Sequence, residues 1–365
     1  MTLKKRLTLT ALTDSLAVAL PALETIAPLP WQSSFFSTPP AALAQNPAIA
    51  PNVRVQDVPI IGMTVSDMDE AIAFYSDVLT FEKISDVEVL GAEMEALQGV
   101  FGVRMRVVQM QLGDEVIELT QYLAPTGGRP VPIDSKSNDL WFQHVAIVVS
   151  DMDAAYERLR EFNVQHISTG PQTLPESIPA AAGIKAFYFQ DPDGHNLEVI
   201  FFPEDKGDRR WQDHNGEIFL GIDHTAIAVA NTEESLKFYR DLLGFDVAGE
   251  SFNSGTEQAH LNNVEGAQLH ISGLSVGQGM AVEFLDYIEP GPGRSYPADS
   301  QANDLWHWEI SMVVPDAEAL AAQLLAADVT FISDGVISLP TDDLGFRQGF
   351  LVRDPDGHVI RVIEP

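Results

Sequence analysis

The sequence FYFQDPDGHNLEVI (residues 187–200) recurs as FLVRDPDGHVIRVI (residues 350–363), with the turn Asp-Pro-Asp-Gly-His intact in both copies. In each copy the turn joins two segments that have strand character. The copies differ in charge at one equivalent position, because Glu198 in the first is replaced by Arg361 in the second. A carboxylate and a guanidinium cannot do the same chemistry, so we expect one copy to have lost a site that the other keeps.

The chain contains four copies of one small unit, each opening with an apolar strand, a short polar turn and an amphipathic helix. Strand character continues after each helix, so each unit is predicted to be a strand, a helix and about three further strands. Matching positions of the two halves lie about 164 residues apart, which indicates a tandem duplication. The opening segments are IIGMTVSDMDEAIAFY, HVAIVVSDMDAAYERL, HTAIAVANTEESLKFY and EISMVVPDAEALAAQL, which begin at Ile60, His144, His224 and Glu309.

The charge balance is strongly acidic, with 21 Lys and Arg against 53 Asp and Glu and a formal net charge of −32. Such a surface repels nucleic-acid phosphates, so nucleic acid is not an expected partner. The chain has no cysteine, which excludes disulfides and thiolate chemistry.

The N-terminal residues have the pattern of a secretory signal. A basic stretch at 4–6 precedes an apolar stretch at 7–20, and small residues follow at 42–44. We therefore predict a signal peptide at 1–44, a disordered lead-in at 45–54 and export of the protein, with a disordered tail or an uncleaved membrane anchor as the alternatives. No later segment is long and apolar enough for an integral membrane span in the mature chain.

These features resemble the vicinal oxygen chelate superfamily, which contains glyoxalase I, methylmalonyl-CoA epimerase, extradiol dioxygenases and bleomycin-resistance proteins. The resemblance rests on the opening His strands, the FYSDVLTF and FYRDLLGF helix ends, the IEL and VEF strands and both DPDGH turns. It implies an α+β fold of four βαβββ modules that form two glyoxalase-like domains with cupped mixed sheets. We place these domains at residues 55–205 and 217–365, joined by a linker at 206–216.

In that superfamily two modules form one cup and supply four inward positions for a divalent metal. Pairing modules within each half would leave two compromised sites. Pairing the second module with the third, and the first with the fourth, is simpler because all positions that have lost a ligand residue then fall in one set. The complete set would be His144, Glu198, His224 and Glu283, and the depleted set Ile60, Glu118, Glu309 and Arg361. Arg361 would then neutralise Glu118 or Glu309, unless all three lie on a solvated sheet face.

The resemblance implies one divalent metal and a small-molecule substrate that chelates it through adjacent oxygens. Two imidazoles and two carboxylates suit Zn, Ni, Co, Fe or Mn, and the ligand types alone do not choose among them. In glyoxalase-like members a ligand Glu also moves a proton next to a carbonyl. Glu198 is the first candidate for this catalytic role and Glu283 the second, in a reaction of the lyase or isomerase type.

Two other functions stay open. An Fe(II) extradiol-type dioxygenase needs two His and one carboxylate, and a fourth ligand at Glu283 argues against it. A non-catalytic protein that binds a small molecule, as resistance members do, usually lacks the metal ligands. Glutathione recognition is in doubt, because Ala228 and Tyr287 stand where glyoxalase I has an Arg and an Asn.

The remaining polar candidates are expected to be structural. The DPDGH turns predict that His195 and His358 are exposed. His260 and His270 are predicted to have structural roles, and Tyr122 and Tyr287 to pack at strand ends, with a substrate contact as the alternative. Arg129 and Arg294 either bind a carboxylate of the substrate or hold their loops. Pairing of modules within one chain would allow the protein to be a monomer.

Overall fold

The computed structural model describes residues 53–365, so the predicted signal peptide and most of the lead-in lie outside the described residues. Within the described part, no helix combines the length and apolar character that crossing a bilayer requires. Module one comprises β1 (Asp57–Val65), α1 (Met68–Asp77), β2 (Glu82–Leu90), α2 (Ala92–Gln98), β3 (Arg104–Leu112) and β4 (Glu115–Ala124). Module two comprises β5 (Gln143–Val149), α3 (Met152–Glu161), β6 (Gln165–His166), β7 (Gln172–Thr173), β8 (Lys185–Gln190) and β9 (Asn196–Phe201).

The second half follows a short 3₁₀ turn at Arg209–Gln212 and repeats this order. Module three comprises β10 (Phe219–Val229), α4 (Thr232–Leu236) with a π-helical continuation (Lys237–Leu242), β11 (Asp246–Asn253), α5 (Thr256–Asn262), β12 (Gln268–Ser275) and β13 (Ala281–Glu289). Module four comprises β14 (Trp308–Val313), α6 (Ala317–Ala326), β15 (Thr330–Phe331), β16 (Ile337–Ser338), β17 (Gln348–Arg353) and β18 (Val359–Glu364). The odd modules carry an extra short helix, and the even modules reduce their second strand to short pieces.

The strands form two nine-stranded mixed sheets, as the α+β prediction requires. One has the order β15-β17-β18-β14-β1-β4-β3-β2, with β16 beside β17, and unites modules one and four. The other has the order β11-β12-β13-β10-β5-β9-β8-β6, with β7 beside β8, and unites modules two and three. The predicted pairing of modules is therefore confirmed, and each sheet combines strands from both halves of the chain.

Local sequence signals begin the helices. The Asp67 carboxylate accepts hydrogen bonds from the amides of Asp69 and Glu70, and the Asn231 side chain accepts one from the amide of Glu234. These caps satisfy amides that have no partner inside the helix. The apolar helix faces then pack on the sheets in one large core, which contains the fully buried rings of Tyr75 and Tyr239.

Arg129 and Arg294 hold the loops that connect modules. Arg129 contacts Asp304 at 2.7 Å and Arg294 contacts Asp139 at 2.7 Å, and each carboxylate is almost fully buried. The two contacts are reciprocal, because each arginine lies in the loop after an odd-numbered module and holds the Asn-Asp-Leu-Trp loop of the other half. Of the two roles that the sequence left open, the structure therefore supports the loop-holding one.

Candidate metal site

Four neighbouring strands in the middle of the second sheet carry the predicted ligand residues. Ala226 of β10 lies opposite both His144 of β5 and Glu283 of β13. Ala146 of β5 lies opposite both His224 and Glu198. Since residues opposite each other or two apart along a strand share a face, all four predicted ligands project from the same side of the sheet.

Three of the four side chains meet closely. Glu198 Oε2 lies 3.0 Å from His144 Nε2 and 3.8 Å from His224 Nε2. These three buried residues form a group whose candidate ligand atoms all lie within 4.8 Å of one another. Glu283 contacts His224 Nε2 at 3.6 Å but stands outside that group, and its side chain is 27% exposed. The cluster is thus a two-histidine, one-carboxylate set with Glu283 at its open side.

Three of the four ring nitrogens of the cluster have no hydrogen-bond partner among residues 53–365. This holds for both nitrogens of His144, whose close approach to Glu198 lacks hydrogen-bond geometry, and for His224 Nε2. Buried polar atoms are rarely left in this state without an unseen partner, such as an ion or water. Unpaired imidazole nitrogens beside a carboxylate are the donor set that a divalent transition metal requires. The residues present therefore fit the metal that the sequence predicts.

A second carboxylate orients His224. Its Nδ1 lies 2.9 Å from Asp223 Oδ2, so in the neutral imidazole Nδ1 carries the proton and Nε2 presents its lone pair to the cluster. Asp223 in turn accepts a hydrogen bond from Trp211 Nε1 at 3.0 Å. Sequence reasoning missed Asp223, because alternation along a strand places it on the opposite face from His224. The register of β10 shifts between Ile222 and His224, which allows both side chains to meet.

The acid–base properties of the cluster follow from burial and neighbouring charges. Burial lowers the pKa of His144. Burial would also lower the pKa of His224, but Glu283, Asp223 and Glu198 together raise it to about 10. Burial raises the pKa of Glu283 to about 7, against the lowering effect of His224. In the metal-free protein, a proton on His224 therefore takes the place that a cation would occupy.

The corresponding positions of the first sheet contain an ion-pair network. Arg361 Nη1 lies 2.5 Å from Glu118 Oε1 and 3.1 Å from Glu309 Oε2, and Arg361 Nε donates to Ser311 Oγ at 2.8 Å. All three charged side chains are buried, so the alternative of a solvated sheet face is wrong. Arg361 supplies the positive charge there, as the sequence predicted.

His195 and His358 are buried, which contradicts the prediction that both lie exposed in their turns. His195 Nδ1 donates to Asp191 at 2.7 Å, and Nε2 donates to the carbonyl oxygen of Leu305 at 2.8 Å. Asp191 also accepts a hydrogen bond from the Tyr75 hydroxyl at 3.2 Å. Burial alone would lower the pKa of His195. The contacts with Asp191 act in the opposite direction and prevail, so the pKa is raised.

The physical reason is that each DPDGH turn packs on modules of the other sheet. Tyr75 belongs to module one and Leu305 to the loop that leads into module four, whereas His195 belongs to module two. The second turn repeats the arrangement, since Asp354 binds both His358 and the Tyr239 hydroxyl of module three. The turn motif specifies the local backbone but gives no information about the distant elements that cover it.

Replacing Tyr75 by Phe tests this arrangement. The change removes a hydrogen bond to a buried carboxylate, so we expect the free energy of unfolding to fall by about 1.5–3 kcal/mol. Urea unfolding followed by circular dichroism measures the loss. Tyr156→Phe is the control, because that ring lies partly buried on the helix of module two, and it should change stability by less than about 0.5 kcal/mol. Equal losses in the two variants would contradict this role of the turn.

The other sequence candidates lie away from the cluster or pack as expected. His260 is exposed, and His270 stacks on Phe252 and contacts Glu250 at 3.0 Å. Tyr122 and Tyr287 are buried at equivalent positions of the two sheets. A residue that the sequence did not single out is Tyr188, which lies opposite Glu198 and whose ring centroid is 4.8 Å from that of His144.

Three comparisons bear on this geometry. The sequence profile of the Glyoxalase/Bleomycin resistance protein/Dioxygenase superfamily matches residues 58–199 and 221–362. A 2-epi-5-epi-valiolone epimerase from Actinomyces sp. is 30% identical over 172 residues, which cover 43% of this chain and 91% of that protein. Glyoxalase I from Zea mays has a similar structure, with a TM-score of 0.54 at 15% identity, and the match covers 86% of this chain and 92% of that one. At this identity the structural likeness concerns the fold alone.

Proposed function

Because the chain belongs to the Glyoxalase/Bleomycin resistance protein/Dioxygenase superfamily, we propose that the cup of modules two and three is a metal-dependent enzyme site. It moves a proton at the carbon next to a carbonyl of a small, oxygen-bearing substrate. The observation that carries this proposal is the buried cluster of His144, Glu198 and His224 with its unpartnered ring nitrogens. A divalent metal bound there would act as a Lewis acid on the substrate oxygens.

Different residues of the chain would bind the metal, orient its ligands and move the proton. His144, His224 and Glu198 would hold the metal, and Asp223 would keep His224 in the tautomer that presents Nε2. Glu283 is the better candidate for the proton-moving group, because it borders the cluster and remains partly exposed to an arriving substrate. This assignment reverses the order that the sequence favoured, in which Glu198 came first.

The epimerase relative supports the choice of reaction. In an epimerisation a carboxylate removes the proton from the carbon next to the carbonyl, and a proton returns to the opposite face of that carbon. The atoms of the substrate are conserved while one stereocentre inverts. We therefore propose a hydroxyketone as the substrate class and an epimerase or isomerase as the reaction type.

An Fe(II) dioxygenase of the extradiol type is the second candidate. Glu283 stands outside the three-residue cluster, so the set resembles the two-histidine, one-carboxylate arrangement of non-haem iron oxygenases. This observation removes the main argument that the sequence offered against oxygen chemistry.

One experiment separates the two reactions. Protein reconstituted in turn with Zn, Ni, Co, Fe and Mn is incubated in D₂O with 2-epi-5-epi-valiolone and, separately, with catechol under oxygen. The proposal predicts metal-dependent deuterium incorporation next to the ketone, detected by NMR, with an inverted stereocentre. Ring opening of catechol with Fe(II), without deuterium exchange into the ketone, would replace the epimerase proposal by the dioxygenase one.

A further inference from the structure

Two polar side chains in the wall of the same cup are buried without partners. Tyr287 is 2% exposed and Asn262 is 1% exposed. Neither the Tyr287 hydroxyl nor the Asn262 side-chain nitrogen has a hydrogen-bond partner within the described chain. Leaving such groups unpaired in the interior destabilises a protein, so they need an explanation.

Both groups belong to the cup that contains the metal cluster. Tyr287 follows Glu283 by four residues on β13, so the two side chains share a face, separated by about 13 Å of strand. Tyr287 packs in one cluster with Phe142 and Tyr188. Tyr188 lies opposite Glu198 and its ring centroid is 4.8 Å from that of His144, so this cluster reaches the metal-site residues.

Asn262 approaches the same part of the wall through Ser137. The Ser137 hydroxyl lies beside Tyr287 and donates to the main-chain carbonyl of Asn262 at 2.8 Å, without hydrogen-bond geometry to the tyrosine. The Asn262 side-chain oxygen accepts a hydrogen bond from Gln258, which leaves its amide hydrogens free. Two uncharged polar groups are thus left without protein partners at one end of the cup.

In the first sheet, which lacks the metal-ligand set, the tyrosine equivalent to Tyr287 has a hydrogen-bond partner. Tyr122, four residues after Glu118, donates its hydroxyl to Gln98 Oε1 at 3.1 Å. Gln98 is the last residue of α2, as Asn262 is the last residue of α5. Asparagine is one methylene shorter than glutamine, and in the second cup the tyrosine has no such acceptor. The tyrosine hydroxyl is hydrogen-bonded in the cup with Arg361, whereas in the cup with the metal cluster it has no hydrogen-bond partner.

We propose that the Tyr287 hydroxyl and the Asn262 side-chain amide form a polar subsite that binds hydroxyl groups of a neutral, polyhydroxylated ketone. This inference rests on the proposed function, since the ketone end of the molecule would reach the metal cluster. A phenol and an amide carry no charge at neutral pH, so they match hydroxyl oxygens better than phosphate or carboxylate groups. A site that leaves polar groups unpaired when the hydroxyls are missing also rejects less hydroxylated analogues.

Calorimetric titration of the Zn-loaded protein tests the subsite with two ketones. One is scyllo-inosose, a ring ketone with a hydroxyl on every other carbon, and the other is 2-hydroxycyclohexanone, which has only the adjacent pair of oxygens. Tyr287→Phe should weaken inosose binding by about 10-fold to 100-fold and leave 2-hydroxycyclohexanone unchanged. Tyr122→Phe, the matched control, should leave both affinities unchanged.

Thermal unfolding of the same variants supplies a readout that needs no ligand or metal. Tyr287→Phe should keep or raise Tm because its hydroxyl is unpaired, whereas Tyr122→Phe should lower Tm because its hydroxyl is bonded to Gln98. Asn262→Gln should copy the first cup, raising Tm and weakening inosose binding. These changes in Tm together with selective loss of inosose binding would support the subsite.

Three results would overturn the subsite: a Tm loss in Tyr287→Phe equal to that in Tyr122→Phe, unchanged inosose affinity in Tyr287→Phe, or no inosose binding to the wild type. Failure of the proposed function would look different. Absent metal binding or absent proton exchange counts against the enzyme, whereas the Tm comparison concerns only whether the two tyrosine hydroxyls are paired.

Discussion

Arg361→Met should lower the free energy of unfolding by about 3–5 kcal/mol, as is typical when one partner of a buried ion pair is removed. The arginine lies between Glu118 and Glu309, and both carboxylates are buried. Methionine fills a similar volume but leaves two negative charges facing each other in the interior. Urea unfolding at pH 7 measures the loss.

The stability loss in Arg361→Met should depend on pH in a defined direction. Burial alone would raise the pKa of Glu309. Arg361 and His307 have the larger, opposite effect and lower this pKa to about 2, compared with about 4.3 in an unfolded chain. In the wild type this contribution to stability is therefore present above pH 4.3 and is lost as the pH falls towards 2. In Arg361→Met no arginine opposes the effect of burial, so the pKa of the Glu309 carboxyl is raised. The difference in unfolding free energy between the variant and the wild type should therefore shrink as the pH falls from 7 to 5.

Arg347→Met is the matched control for Arg361→Met. Arg347 forms an ion pair with Asp342 at 3.1 Å, and both side chains are more than half exposed. Its loss should change stability by less than about 1 kcal/mol. If Arg361→Met lost no more stability than this control, the three charges would not form a strongly coupled buried ion-pair network.

Glu198 and Glu283 should respond differently to substitution. Glu198→Ala removes the carboxylate that lies between the two imidazoles, so metal affinity should fall by more than the 10–100-fold that is typical of outer-shell changes. Glu283→Gln should keep the metal but slow deuterium exchange into the ketone by about 10²–10⁴-fold, as expected for loss of a general base.

Metal content and exchange rate, measured on the same samples, separate these two roles. Glu289→Gln is the control, because Glu289 is exposed at the end of the same strand as Glu283. It should retain both the metal and the exchange rate. Loss of the metal in Glu283→Gln together with its retention in Glu198→Ala would exchange the roles that we assign.

The positions of the candidate ligands could be predicted because the superfamily resemblance implies four inward positions per cup and the repeats show which residues occupy them. Strand alternation and the near-constant repeat offset place His144, His224, Glu198 and Glu283 at equivalent positions, and the sorting of charges predicts how the modules pair. The resemblance supplies the ligand positions, and the order of residue types along the chain supplies their occupants. The strand order of the two sheets agrees with them.

Other features could not be predicted because they depend on contacts between distant segments. Asp223 reaches His224 only because the strand register shifts beside it. The burial of His195 depends on Leu305, which is 110 residues away. The unpaired Tyr287 hydroxyl depends on the length of one side chain at the end of α5. No local pattern in the sequence encodes these contacts.

The most direct test of a single metal site in the middle modules is the metal content of the purified protein. Elemental analysis after reconstitution compares the wild type with the His144→Ala, His224→Ala double variant. We predict about one divalent ion per chain in the wild type and almost none in the double variant, because the cup with Arg361 already contains its own positive charge. Two ions per chain, or undiminished metal in the double variant, would contradict the account.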